Sequence, residues 1–532
     1  MTKHVVGSKI LKKEQVLISV FLTAILVISS GSMVAFAKNS TYVVKPSGDT
    51  TGATDTAAIQ ATLNRCTGGD PRCTVQLVSG TYYIASQITV YGFQGSFVGA
   101  GQGQTNIIAL GNMPSPNPEY NIPCEGFPTC TYTTGNPEGG VPFWAGLPGP
   151  SNPWPALFTF EGGSIAISGM TITDTSPTPI SPGWYLPALE GNGLFYTSLQ
   201  AAIYITGLRA SATIDHVSIV GAAGSGPLTG GYNMGNGILI DSTRLPGAWT
   251  NPDADLIQLT GTFSVTNSFF DDVQSGVWMG YLLNSNVAIC GNTVSSAGIP
   301  TGSFYPIGGI DISNTNVLIC RNQGTVPNAA AIFVAQSIRI PGLLPSTVTI
   351  TGNNFQVIQG ANAVVLQDAG EAIFGTPVTL NAVISGNTFQ NSYDGGSAYY
   401  YSAIATFTLK STTVSLNNIA GGGSDGIYIN GGPGTVAGNT ITGADTGLWL
   451  DMASDGHVVG NVITNSVQYG ISVTSTNAAY SSATTPSSNN VISGNLLHNS
   501  GTYDLCWDGQ GTGDVWCHNI YQTSNPSPLP SC

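Results

Sequence analysis

A six-residue pattern recurs along the chain: apolar, any, small, Asn, any, apolar. It reads Ile289-Cys290-Gly291-Asn292-Thr293-Val294, and returns from Ile350, Ile384, Val436, Val458 and Ile492. Looser copies start at Ile167, Ile214, Val265, Ile319, Val414 and Trp516. The shortest spacing is 22 residues, and the longer ones read as that unit plus an insertion. A period of this size means stacked structural units. After each copy comes a short run of the form Gly-apolar-x-apolar, as in Gly237–Ile240, Gly309–Ile312, Gly426–Ile429, Gly447–Leu450 and Gly470–Val473. The period within these runs is two, which makes them strands with apolar residues inward. Short strands with no helix between them predict an all-β chain: a parallel β-helix over residues 156–521. Asn at one fixed place per coil suits a tight turn that needs a left-handed residue, and stacked Asn side chains bond along the axis.

This register makes a sharp expectation. Cys290 and Cys320 hold the same place in consecutive copies, and adjacent coils lie about 4.8 Å apart. That separation suits a disulfide, so the two are expected to be bonded. Cys66 with Cys73 and Cys124 with Cys130 would staple local loops. Cys506, Cys517 and Cys532 leave one thiol over.

Residues 38–110 read as an N-terminal cap and first coils. Thr54 or Asp55 would N-cap a helix whose Ile59 and Leu63 share a face. Residues 111–155 are a Pro/Gly-rich insertion, and 522–532 a C-terminal tail. The stretch Thr54-Asp55-Thr56-Ala57-Ala58-Ile59-Gln60, with Gly80-Thr81-Tyr82, Gly99-Ala100-Gly101 and Thr105-Asn106-Ile107, resembles the opening of pectate-lyase-like right-handed β-helix proteins. The resemblance implies a single right-handed parallel β-helix closed by an N-terminal capping helix. It speaks to fold more than to activity.

Only 13 Lys and Arg stand against 27 Asp and Glu, too few cations for a nucleic-acid surface. Residues 1–37 read as a secretory signal peptide, with Lys3, Lys9, Lys12 and Lys13, an apolar run from Val16 to Ile28, and the cleavage site Ala35-Phe36-Ala37. Its removal leaves nine cations and 26 acids, a net of −17, and nothing that spans a membrane. A secreted chain is expected to be oxidised at its cysteines. No spacing of His and Cys suits zinc.

The insertions border the Gly-apolar-x-apolar strands on both sides, so they would wall a groove over one sheet. The outward residues of that sheet include Tyr204, Trp278, Asp311 and Phe333, with Asp241 one place further along. Asp271 and Asp272 enter from the preceding corner. Trp184 and Tyr185 sit on a bordering loop, where aromatic rings would stack on sugars. Four carboxylates within three coils suggest glycosidic hydrolysis, which uses two acids about 5–10 Å apart. Solvated turn residues or a calcium site account for the same acids; no other cofactor is implied. A second chemistry is lyase action on a uronate, with Arg244 against the carboxylate, although the negative charge repels polyanions. A third reading is a non-catalytic surface or adhesion protein that binds glycan. The expected partner is a polysaccharide, and the expected state a monomer or homotrimer.

Overall fold

The computed structural model describes residues 40–67, 72–110, 156–175, 199–207, 209–221, 234–241, 259–280, 282–295, 306–310, 312–326, 330–336, 344–358, 362–368, 379–391, 402–421, 425–475 and 486–530. The chain winds so that each strand pairs in parallel with its counterpart one coil on. Asn286–Cys290 pairs with Asn316–Cys320, Thr440–Thr442 with Val462–Thr464, and Thr446–Asp451 with Tyr469–Thr474. Three faces result. The first runs through Cys290, the second through Val294 and the third through Val277.

The first two faces alternate inside and out, as period-two patterning demands. Thr440 and Thr442 are exposed, for example, while Ile441 between them is fully buried. The inward columns Ile350–Ile384–Val414–Val436–Val458–Ile492 and Phe355–Phe389–Ile419–Ile441–Ile463–Leu497 form one continuous core. Each such side chain contributes about 1.5–3 kcal/mol by leaving water. The third face differs. Ser402–Phe407 and Asp425–Asn430 are buried at every position, on the outer side as well as the inner.

The recurrent Gly of the third face has a steric cause. A Cβ on Gly426 would stand 2.6 Å from Ile441 Cγ2, and one on Gly470 would stand 2.5 Å from Leu497 Cδ2. The corner entering this face therefore bends its backbone onto the core, and a side chain there would collide with it.

The Asn residues that recur once per coil form a ladder along the axis. The Nδ2 of Asn292 donates to Asn322 Oδ1, and the relay continues through Asn353, Asn387, Asn417, Asn439, Asn461 and Asn495 to Asn519, each step 2.9 or 3.0 Å. The left-handed residue is not the Asn but the one before it. Gly352, Gly386, Gly438 and Gly460 have φ of 63° to 65°, and Arg321, Leu416 and His518 hold the same conformation without being Gly. The Asn thereby keeps an ordinary backbone and turns its amide inward.

The Cys290–Cys320 bond is formed, with Cα atoms 4.5 Å apart, and so is Cys66–Cys73. Cys517 is also disulfide-bonded, and Cys506 is the free thiol among the described residues. Cys124 and Cys130 lie outside them.

The N-terminal helix spans Ala53–Leu63, with Ile59 and Leu63 fully buried. Its N-cap is Gly52, neither Thr54 nor Asp55. Asp49 takes the capping part instead, accepting the Thr54 backbone N–H at 3.1 Å. Asp55 is buried and ties the helix to the coils, accepting the backbone N–H groups of Ser47 (2.8 Å) and Tyr83 (3.0 Å). At the other end Leu529 joins the core, and the Trp516 backbone N–H donates to the Pro530 carbonyl at 3.1 Å.

Candidate functional site

The outer side of the third face carries two rows of residues in axial register. The first runs Tyr204, Leu239, Trp278, Gly308, Phe333, Val365, Ala405, Tyr428, Trp449, Ser472, Cys506. The second, two residues further along each strand, includes Asp241, Gly280, Ile310, Ala335, Gln367, Phe407, Asn430, Asp451 and Thr474.

Tyr204, Trp278 and Phe333 thus stand in one row, as the periodicity predicts. The expected place of Asp311 beside Trp278 does not hold. Gly308 occupies it, and the six-membered ring of Trp278 lies over the space that a Gly308 Cβ would fill. The strand here is Ile307–Ile310, two residues earlier than the Gly-apolar-x-apolar reading of Gly309–Ile312, and the residue beside Trp278 moves from 311 to 308. Asp311 itself lies outside the described residues, as do Arg244, Trp184 and Tyr185.

Asp271 ends a strand of the second face, Phe269–Asp271, and Asp272 makes the corner with φ 50°. Burial, and then the neighbouring Asp271, push the Asp272 carboxyl above its ordinary value. Asp241 is in register with Gly280, at the far end of the strand that Asp272 precedes. Asp272 and Asp241 thus mark opposite edges of the third face, with the corner at Gly276 between Asp272 and the strand.

The densest polar constellation on this face lies further along, around Asp451. The Tyr428 hydroxyl donates to Asp451 Oδ2 at 2.9 Å, and Asn430 Nδ2 donates to the Tyr428 oxygen at 3.1 Å. Thr474 donates to Asp451 Oδ1 at 3.0 Å and accepts from Trp449 Nε1 at 2.7 Å. Tyr428 is flanked edge-on by Phe407 and Trp449, at 5.5 and 5.2 Å between ring centroids. Burial, and then the Asp451 charge, push the Tyr428 hydroxyl far up, so that it remains a donor.

A second carboxylate group sits where the chain enters the same face. Asp425 accepts the Thr446 N–H at 3.0 Å and is pushed up to about 7, first by burial. Asp445, also raised by burial, accepts from Gln468 Nε2 at 2.9 Å. None of the residues around Asp451 and Asp425 was singled out from the sequence. The available signal was Tyr428-x-Asn430 followed one coil later by Trp449-x-Asp451, in a chain poor in charge. Among the described residues, no group of three or more His, Cys, Asp or Glu is placed to hold a metal ion.

Residues 343–519 match the family model described as a right handed beta helix region. No curated protein matches the sequence. Among solved structures, the chain is similar to the A-module of a mannuronan C-5 epimerase from Azotobacter vinelandii, at 12% identity over 90% of this chain and 92% of that one, with a TM-score of 0.37. It is similar to the catalytic unit of a thermostable alpha-1,3-glucanase from Streptomyces thermodiastaticus, at 12% identity over 88% and 66%, with a TM-score of 0.42. A DFA-IIIase from Arthrobacter chlorophenolicus is similar at 13% identity over 90% and 94%, with a TM-score of 0.41. Taken with the parallel pairing of successive coils, the match over residues 343–519 identifies the fold: the protein is a right-handed parallel β-helix.

Proposed function

We propose that the protein is secreted and binds a polysaccharide laid along the outer side of the third face. The observation that carries this reading is the pairing of rows on that face. Tyr204, Trp278, Phe333, Tyr428 and Trp449 share one row, and Asp241, Gln367, Asn430, Asp451 and Thr474 share the row beside it. A sugar ring has an apolar C–H face and a rim of hydroxyls. The half-buried Trp278 and Trp449 rings, with half-buried Gln367 and Thr474 in the row beside them, answer both, while the buried Tyr204, Phe333, Tyr428 and Asp451 pack behind them. Trp278 and Trp449 are six coils apart, so the row runs about 29 Å between them, the length of several sugar units. The disulfides Cys66–Cys73 and Cys290–Cys320 suit an oxidising compartment outside the cytosol.

Within this reading, cleavage by hydrolysis is the first reaction to test, with Asp241, Asp271, Asp272 and Asp311 as its carboxylates. The raised Asp272 carboxyl suits a general acid. The placement of Asp272 and Asp241 at opposite edges of the third face supports a second reading, glycan binding without cleavage. A panel of polysaccharides tests all of this. Binding supports the general reading, and failure to bind any member refutes it. Release of reducing ends that is lost in Asp272→Asn supports hydrolysis. The ultraviolet absorbance of an unsaturated uronate would indicate a lyase instead. Binding without either product leaves the non-catalytic reading.

A further inference from the structure

The outward side of the first face differs from that of the other two. One row runs from Ser264 to Val515 and the next from Thr266 to Cys517, each in register over ten coils. Neither row holds Asp, Glu, Lys or Arg, and His457 is the one side chain in them that gains charge on protonation. Asp215, in register with Thr266, ends the neutral stretch on one side. Lys410, Asp455 and Arg321 stand at the corners beside it.

The outward side chains are short and accessible. Thr349, Val383, Ser385 and Thr413 are half-buried, and Leu318 and Val459 are 38% and 41% exposed. The second face is as regular, but it carries Asp271 and the exposed amides of Gln323, Asn354, Gln356 and Gln390. Covering those amides costs their hydration and their rotamer freedom. Val, Thr and Ser have less of both to lose.

Charge points to the same face. The chain holds 27 Asp and Glu against 13 Lys and Arg, so two copies repel wherever their charged surfaces meet. The first face is where they can meet without opposing like charges. Its size also fits. Its length over these coils is about 43 Å and its width about 17 Å, which gives roughly 700 Å² for each copy, against about 800 Å² per partner in a standard interface.

We propose that the first face pairs with the same face of a second copy, about a two-fold axis near its middle. A surface that meets itself is the arrangement of a symmetric dimer. Sheets stacked face to face lie about 10 Å apart, with the short side chains of the two copies interleaved. The middle of the neutral stretch falls between Val383 and Thr413, so these residues stand close to the axis and to their counterparts. The pairing goes beyond the polysaccharide reading and leaves the third face of both copies uncovered.

Sedimentation velocity of the protein from about 1 to 100 μM reads the association. A concentration-dependent dimer is expected. Val383→Glu with Thr413→Glu sets like charges together at the axis and is expected to raise the dissociation constant tenfold or more, and Val383→Lys with Thr413→Lys to do the same. Mixing these two doubly substituted proteins is expected to restore the dimer, which a folding defect would not do. Gln356→Glu with Gln390→Glu, on the second face, is expected to leave the dimer intact. A monomer at every concentration overturns the proposal. So does a dimer that persists in the Val383 and Thr413 variants, or one that dissociates in the Gln356 and Gln390 variant. Glu and Lys variants that stay apart when mixed overturn the placement of the axis, and an assembly that closes at three copies overturns the face-to-face pairing.

Discussion

Replacing one rung of the asparagine ladder tests whether that relay holds adjacent coils together. In Asn439→Ala, the residue lost is fully buried. Its Oδ1 accepts the Asn417 backbone N–H and the Asn417 Nδ2, both at 2.9 Å, and its Nδ2 donates to Val414 O and Asn461 Oδ1, also at 2.9 Å. The substitution leaves two donors of Asn417 without partners in a dry interior. Each costs about 1–3 kcal/mol, so the loss is about 4 kcal/mol. The Asn461 Oδ1 keeps the Asn439 backbone N–H, at 2.9 Å, so the damage falls on the preceding coil. Hydrogen–deuterium exchange of peptides covering residues 414–420 reads this locally. The Asn417 amide is expected to exchange about a thousandfold faster. The comparison variant is Asn519→Ala at the end of the relay. Asn519 accepts the same two bonds from Asn495, but it is half-buried, so water replaces them and the cost is about 1 kcal/mol. Unchanged exchange at Asn417, or an equal loss in the two variants, would refute the account of the ladder as a dry, mutually dependent relay.

Three further outcomes are expected. Asp425 keeps its proton up to about 7 when folded, against 3.8 ordinarily, so stability falls as pH rises through that window and levels off above it; Asp425→Asn preserves the acceptor for Thr446 and should flatten the decline in melting temperature between pH 4 and pH 8, a gain of about 3 to 5 kcal/mol at the upper end. Leu416 is 71% exposed and left-handed, with φ 57°, where neighbouring coils place Gly386 and Gly438; Leu416→Gly should raise the unfolding free energy from denaturant titration by about 0.5–1 kcal/mol, and a loss of stability would contradict the strain argument. Gly470→Val drives a side chain toward Leu497 and should cost about 3 kcal/mol or more in the same measurement, whereas a neutral result would mean that the corner has room to spare.

Periodicity makes the coil, its direction of stacking and the Cys290–Cys320 contact legible, because each depends only on equivalent places recurring. It fails where packing overrides the period. Gly309-Ile310-Asp311-Ile312 alternates cleanly, yet the strand beside Trp278 is Ile307–Ile310, which sets Gly308 outward beneath the Trp278 ring and Gly309 inward. The helix start was ambiguous for a similar reason. Thr54 and Asp55 are good caps in isolation, but Asp49 reaches the helix N–H from outside it and frees Asp55 to bond the strands. The constellation around Asp451 was not legible because it belongs to no repeat. It arises from Tyr428, Asn430, Trp449 and Thr474 meeting across three coils, and the sequence places them in rows without showing which rows touch.

A tube of stacked rungs has no built-in length: its terminal strands expose the same backbone donors and acceptors that its interior strands satisfy. Left bare, those rims invite a second molecule to continue the stack, which is how cross-β fibres grow. The helix Ala53–Leu63 at one end, and Leu529 with Pro530 folded over the last coil at the other, act as stoppers. They allow a chain so rich in repeating strand to remain a discrete molecule instead of the first subunit of a filament.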